Sequence, residues 1–255
     1  MGGAEALTIF VAAVAAGAIN AVVGSGSLIT FPTLLAFGFP AVIANVSNNV
    51  GLVSGNVSGA FGYRRELAGQ RGRLVRLGVL AAAGSLAGAI LLLSLPASAF
   101  TLIVPVLILI SCVLVIIQPR LNAWMAARRA RRQPGRQAEH SPVLAAGVLA
   151  SGAYGGYFGA AQGVLVIGLL GSFLDDDLQR VNAAKNVLVA IVNGTAAVVF
   201  ILFAQVNWIV VLLIASGSTA GGLLGARVGR RLPPLALRIL VATIGVIAAV
   251  KLIFF

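Results

Sequence analysis

The strongest constraint on this chain is a succession of apolar runs, each about as long as a bilayer is thick, separated by short gaps that hold most of the charge. A hydrocarbon core takes about 20 apolar residues per straight helix. By that measure, long runs lie near residues 4–23, 41–63, 74–94, 99–117, 180–204, 208–226 and 235–254. Two further stretches are shorter or interrupted: 27–38, and 143–174, which breaks between Gly155 and Gly163. The chain therefore reads as about eight hydrophobic segments, or ten helical pieces if each broken segment is a pair. The runs are continuous rather than alternating, which argues against strands. Of the 255 residues 60% are hydrophobic and 9% charged, where a soluble domain has about 45–50% and about 25%. Water could not solvate a compact globule of this composition. A soluble enzyme, a disordered tail and a fibrous protein are excluded, and the fold class is an all-α polytopic membrane protein.

The net charge of +12 sits mainly in the gaps. Arg64, Arg65, Arg71, Arg73 and Arg76 fall between 64 and 76; Arg120, Arg128, Arg129, Arg131, Arg132 and Arg136 between 118 and 142; Arg227, Arg230 and Arg231 between 227 and 234. The connections 95–98 and 205–207 carry no charge. Arginines placed this way read as orientation signals at a cytoplasmic membrane face, not as a nucleic-acid patch. The lipid bilayer is then a partner and nucleic acid is not. The chain is expected in the cytoplasmic (inner) membrane as a multi-pass protein with both termini external. The start lacks the positive segment of a cleavable signal, so the first run is expected to be retained. Counting back from Arg227 leaves segment 143–174 beginning and ending on one side. Its halves would reach only about 24 and 20 Å at about 1.5 Å per residue, which fits a re-entrant hairpin.

The two halves resemble each other. Asn45-Val-Ser-Asn-Asn49 matches Asn182-Ala-Ala-Lys-Asn186 at a shift of 137, which also sets Asn56 on Asn193. The Gly24–Ser27 break corresponds to Gly159–Gly163 at a shift of about 135. The arginine gap follows the second helix in one half and the third in the other. Similar sequence with opposite charge placement is the mark of inverted repeats. The expected organisation is a first repeat over 1–117, a basic cytoplasmic linker over 118–142 and a second repeat over 143–255. Each repeat would be a broken, re-entrant helical hairpin plus three transmembrane helices.

Reactive groups are sparse. With one His (His140), one Cys (Cys112) and no carboxylate pair within a helix, no metal cluster, nucleophile–base pair or phosphate loop can be assembled. No enzymatic activity, cofactor or metal is expected. The informative features are the breaks, because unwound backbone survives in a membrane only where protein or a watery cavity lines it. A half-helix starting near Ser27 would aim its N–H groups into the break, and two such tips would suit an anion; small residues that simply allow close helix packing are the alternative. Asn45, Asn49 and Asn56 share a helical face, as do Asn182, Asn186 and Asn193. Such amides either bond across helices or line a polar pathway. Lys185, the basic residue well inside a run, suits a negatively charged substrate or snorkels to the surface. Asp175 to Asp177 read as solvated caps for a helix starting near Leu178. Pro119 to Arg132 reads as an interfacial helix on anionic lipid, or as a solvated linker.

The stretch Val23-Gly-Ser-Gly-Ser-Leu-Ile-Thr-Phe-Pro32, with Gly38-Phe-Pro40, Ala44-Asn45 and Gly62-Tyr-Arg-Arg-Glu66, resembles the signature of the TauE/SafE (TSUP) family of sulfite and organosulfonate exporters. Gly155-Gly-Tyr-Phe-Gly159 followed by Asn182-Ala-Ala-Lys-Asn186 resembles its second-half signature. The order of segments matches over essentially the whole chain. Gly-Ser-Gly-Ser stands here where members often carry a run of glycine, which adds the hydroxyls of Ser25 and Ser27. The resemblance implies transport of sulfite, organosulfonates or other small organic anions.

The expected function is thus a secondary permease for small anions working by alternating access. Its substrate would lie between Gly24, Ser25, Gly26 and Ser27 on one tip and Ala161, Gln162 and Gly163 on the other. Asn45, Asn49, Asn182 and Asn186 would contact it and Lys185 would supply charge. An anion channel and a non-transporting membrane scaffold or assembly protein are the alternatives, and a homo-oligomer is compatible with each.

Overall fold

In a computed structural model, which describes residues 1–130, 140–228 and 234–254, the chain forms ten helices. They are α1 (Gly3–Val22), α2 (Ser27–Ala36), α3 (Ala41–Gly62), α4 (Arg71–Ser94), α5 (Ala97–Ala130), α6 (Pro142–Tyr157), α7 (Gln162–Phe173), α8 (Leu178–Phe203), α9 (Trp208–Val228) and α10 (Pro234–Phe254). Arg131, Arg132, Arg136, Glu139, Arg230 and Arg231 lie outside the described residues. Among the described residues no strand is present and five helices are long and apolar enough to cross a membrane: α1, α4, α5 (over Ala97–Ala127), α8 and α9 (over Trp208–Arg227). The protein is an all-helical, multi-pass membrane protein. Its third helix is as long as these but turns Asn45, Ser47, Asn48, Asn49 and Asn56 into the core.

The principal helix pairs come in matched sets. α1 lies against α9 as α6 lies against α4; α3 meets α9 as α8 meets α4; α2 meets α10 as α7 meets α5. The pairs α3–α8 and α5–α10 close the set. Small residues permit the closest approaches, as expected where van der Waals packing drives association. Gly84 and Gly88 of α4 meet Leu149 and Ala153 of α6, while Gly152 and Gly156 meet Ala81 and Ser85. Gly217, Gly221 and Gly225 of α9 meet Phe10, Val14 and Ala18 of α1 in the same way. Each of these pairs runs parallel.

One end of the bundle gathers the arginines. Arg180 Nη2 donates to Ala68 O at 3.1 Å, and Gln70 Nε2 to Arg180 O at 3.3 Å. Tyr63 packs on Ala183 and Ala226, so the ends of α3 and α9 join the starts of α4 and α8 there. We call this the arginine face. Because α9 ends and α4 begins on it, α1 approaches from the opposite face and α6 from the arginine face. The start of α8 follows the sequence reading: the Asp177 carboxylate accepts from the backbone N–H of Gln179 (2.8 Å) and Arg180 (2.9 Å). Asp176 does more than cap, since it pairs with Arg73 and, at 3.0 Å, with Arg180.

The stretch from Pro119 differs from expectation. Through Ala130 it continues α5, with Pro119 inside the helix. Its apolar side faces protein: Met125 is buried in a cluster with Leu77, Leu144 and Leu170, and Leu121 abuts Gly168 of α7. Trp124, between them, is exposed. A run of good helix formers after Pro119, anchored by Leu121 and Met125, outweighs the hydrogen bond that the proline removes.

Candidate functional site

Two interrupted hairpins build the centre of the molecule. The chain leaves α1 when the N–H groups of Val23 and Gly24 both turn to Ile19 O, at 2.7 and 3.1 Å. It leaves α6 by the same device, with Phe158 and Gly159 both bonded to Tyr154 O at 2.9 and 3.0 Å. The 135-residue shift seen in the sequence between the breaks is therefore the shift between these two helix ends. Gly24 (φ +86°) and Gly159 (φ +75°) then reverse the chain, and Ala161 takes a left-handed φ of 55°. The two breaks touch. Gly163 N–H donates to Gly24 O at 3.1 Å, and a Cβ on Gly24 would stand 2.5 Å from Gly163 Cα.

Unwinding strands carbonyls at the end of α1, and buried carbonyls without partners are costly. Side chains from the opposite half supply most of the donors. Lys185 Nζ donates to Asn20 O at 2.7 Å and Ala21 O at 3.2 Å. Asn182 and Asn186 also donate to Ala21 O, at 3.1 and 3.2 Å, and Gln118 Nε2 to Val23 O at 3.2 Å. The second break is tied similarly: Asn45 Nδ2 donates to Tyr157 O at 3.0 Å, while Ser111 and Tyr154 hydroxyls donate to Ala160 O at 3.0 and 2.6 Å. Asn45 and Asn182, which the internal sequence match aligns, thus perform one task in opposite halves.

Lys185 does not snorkel. It is fully buried, seven residues into α8, with its stem against Gly163. No carboxylate reaches it among the described residues. The carbonyl end of α1 carries the negative pole of that helix and stabilises the ammonium in its place. That pole offsets only about half a charge, and two carbonyls use two of the three ammonium donors.

The structure brings Gly24, Gly163, Asn182, Lys185 and Asn186 into one cluster. Ser25 lies beside them, its buried Oγ without a partner. Gly26 N–H is taken by Asn20 Oδ1 at 3.2 Å, and Ser27 opens α2 half-buried. Gln162 turns back to Ser151 O at 3.1 Å, so it braces its own hairpin. Asn45 serves the second break, and Asn49 bridges α3 to Asn193 of α8 at 3.4 Å, its Oδ1 unpartnered. Several N–H groups expected to face an anion are satisfied by protein: Leu28 by Ser25 O, Ile29 by Gly26 O, and Gly163 by Gly24 O.

Sequence reasoning missed Asn20, which donates to Asn56 at 2.5 Å, and Gln118, Asn122 and Arg238. Asn20 is an amide within an apolar run and was open to detection. Gln118 and Asn122 are four residues apart on α5 and Arg238 is on α10, and no spacing links the two helices.

The two sides of the crossing differ. Toward the arginine face a cavity of about 210 Å³ runs from exposed Leu178 and Gln179 at its mouth to Val23 and Asn182 at its floor. On the opposite side aromatic rings pack against one another, and a second cavity of about 660 Å³ lies among α2, α5 and α10, lined by Pro32, Phe39, Thr101 and Ile244. Phe158 meets Phe31 edge-on at 5.3 Å, and Phe100 meets Phe158 at 6.1 Å and Tyr157 at 5.8 Å.

The profile of the sulfite exporter TauE/SafE family matches residues 9–252. The chain belongs to this family. TauE/SafE proteins are membrane transporters rather than enzymes, so the broken helices and buried amides belong to a transporter. The chain is 27% identical over 225 residues to the probable membrane transporter protein YfcA of Escherichia coli K12, covering 88% of this chain and 79% of that one. It is 27% identical over 212 residues to a probable membrane transporter protein of Haemophilus influenzae, covering 82% and 79%. A Sinorhizobium relative, probable membrane transporter protein ORF9, is 25% identical over 221 residues, covering 86% and 81%. No solved structure matches this TauE/SafE chain.

Proposed function

We propose that the protein is a secondary permease that moves small anions, sulfite or organosulfonates among them, across the cytoplasmic membrane by alternating access. The observation that carries this reading is Lys185, an ammonium buried at the crossing of two interrupted helices with no carboxylate beside it among the described residues. A buried cation of this kind is expensive unless its charge is used. Its third donor and the unpartnered Ser25 hydroxyl are both available to an anion at the crossing. The family's name supports sulfur oxyanions as the substrate class.

The matched helix pairs, and hairpins entering from opposite faces, support two inverted repeats. By the positive-inside rule the arginine face is cytoplasmic and both termini are external. The smaller cavity then opens to the cytoplasm and the aromatic cluster stands between the crossing and the external side, which supports one of the two states that alternating access requires. The same closure favours a carrier over a channel.

The test is uptake of labelled sulfite and taurine into proteoliposomes by wild type and Asn49→Ala, whose amide links α3 to α8. Saturable uptake, slowed in the variant, is expected. No uptake of any small anion, or equal rates in both proteins, overturns the reading.

A further inference from the structure

The cavity on the arginine face has a chemistry of its own. Arg238 is the charged residue among those that line it. Around it stand the amides of Gln118, Asn122, Gln179 and Asn182. Asn182 is 6% exposed, and its Oδ1 and that of Asn122 have no partner. The rest of the wall is apolar, from Val22, Ile167 and Leu178. At about 210 Å³ the space is smaller than the roughly 300–1,000 Å³ of drug-sized sites.

A single guanidinium neutralises one negative charge and grips planar or tetrahedral oxyanions through paired N–H groups. The Asn122 amide and the second N–H of Asn182, whose first goes to Ala21 O, supply further donors, and the apolar wall accepts a short carbon chain. Arg238 Nε donates to Gln118 Oε1 at 3.4 Å, and Gln118 donates to Val23 O at 3.2 Å. The guanidinium is thereby tied through one side chain to the first break. Asn182, at the floor, also donates to Ala21 O beside Lys185.

We propose that this cavity is a binding site for a small organic monoanion, a short alkylsulfonate or carboxylate, held by Arg238, Asn122 and Asn182 before it reaches the crossing. This rests on the permease reading for its place on a transport path. Arg238 is the specificity-determining residue, with Gln118 positioning it. Two predictions of class follow: ethanesulfonate binds better than sulfate, and a neutral amide of similar size does not bind.

The test uses the full chain in nanodiscs of neutral phosphatidylcholine, with Gln179→Cys as a reporter at the mouth. Native Cys112 is buried and serves as the unreactive control. The rate of modification by a small impermeant maleimide is read against ethanesulfonate concentration. Ethanesulfonate should slow labelling, and Arg238→Gln should raise the half-protecting concentration at least tenfold, with Arg238→Lys between the two. Absence of protection, or protection indifferent to Arg238→Gln, overturns the proposal. So does shielding produced by phosphatidylglycerol in the disc without any soluble anion, which would make the ligand a lipid headgroup. Proteoliposome flux separates this from the permease reading. Protection without flux leaves the binding site and removes the permease, whereas flux without Arg238-dependent protection removes only this site.

Discussion

Replacing Lys185 by methionine keeps the length of the stem that passes Gly163 and deletes the ammonium. The structural cost follows from the bonds lost. Ala21 O retains Asn182 and Asn186 as donors, so the orphaned acceptor is Asn20 O. An unsatisfied buried carbonyl costs about 1–3 kcal/mol, and removing a buried cation that lacks a carboxylate gives part of that back. Lys185→Met should therefore fold, with a thermal midpoint within a few degrees of wild type, read from Trp124 and Trp208 fluorescence in detergent. Transport should suffer more. A charge-assisted hydrogen bond to substrate is worth about 1.5–3 kcal/mol, which at about 1.36 kcal/mol per decade is a loss of roughly 10- to 150-fold in kcat/KM. Initial rates of labelled sulfite or taurine uptake over a concentration series measure it. A folded Lys185→Met that transports within twofold of wild type would refute the role given to this charge.

Three other substitutions probe the geometry. Gly24→Ala sets a Cβ 2.5 Å from Gly163 Cα at a φ of +86°, and should cost about 2 kcal/mol or more with loss of transport; a thermal midpoint equal to wild type would contradict the crossing. Ala161→Gly removes a Cβ from a left-handed position and should leave stability unchanged or raise it by up to about 1 kcal/mol, while a clear loss in a denaturation series would speak against that backbone. Phe158→Ala takes the shared ring out of the aromatic cluster and should expose a Ser25→Cys reporter to an impermeant thiol reagent from the face opposite the arginines. Continued shielding would mean that the cluster is not the closure.

The helices and their breaks were legible because hydropathy and glycine act locally. Runs of about 20 apolar residues set most helix bounds within a few positions, and Gly24 and Gly159 mark where each chain reverses. The Asn45 and Asn182 stripes were legible as polar faces that bond across helices or line a pathway, but not their acceptors, the unwound carbonyls of the opposite half. Lys185 left two readings open in the sequence, and burial removes snorkelling. Gln118, Asn122 and Arg238 were illegible as a group, because two adjacent turns of α5 and the start of α10 meet only in the packed bundle. Pro119 looked like a helix end because the sequence does not reveal that Leu121 and Met125 have protein to pack against.

Counterflow separates a carrier from a channel. Proteoliposomes loaded with unlabelled substrate anion are diluted into a trace of the labelled form, and internal label is followed with time. A carrier that exposes one site to each side in turn exchanges label inward faster than net loss proceeds. A transient accumulation above equilibrium is expected, reduced at least tenfold in Lys185→Met. Label that rises only to equilibrium, at a rate that does not saturate with anion concentration, would contradict it and leave a channel.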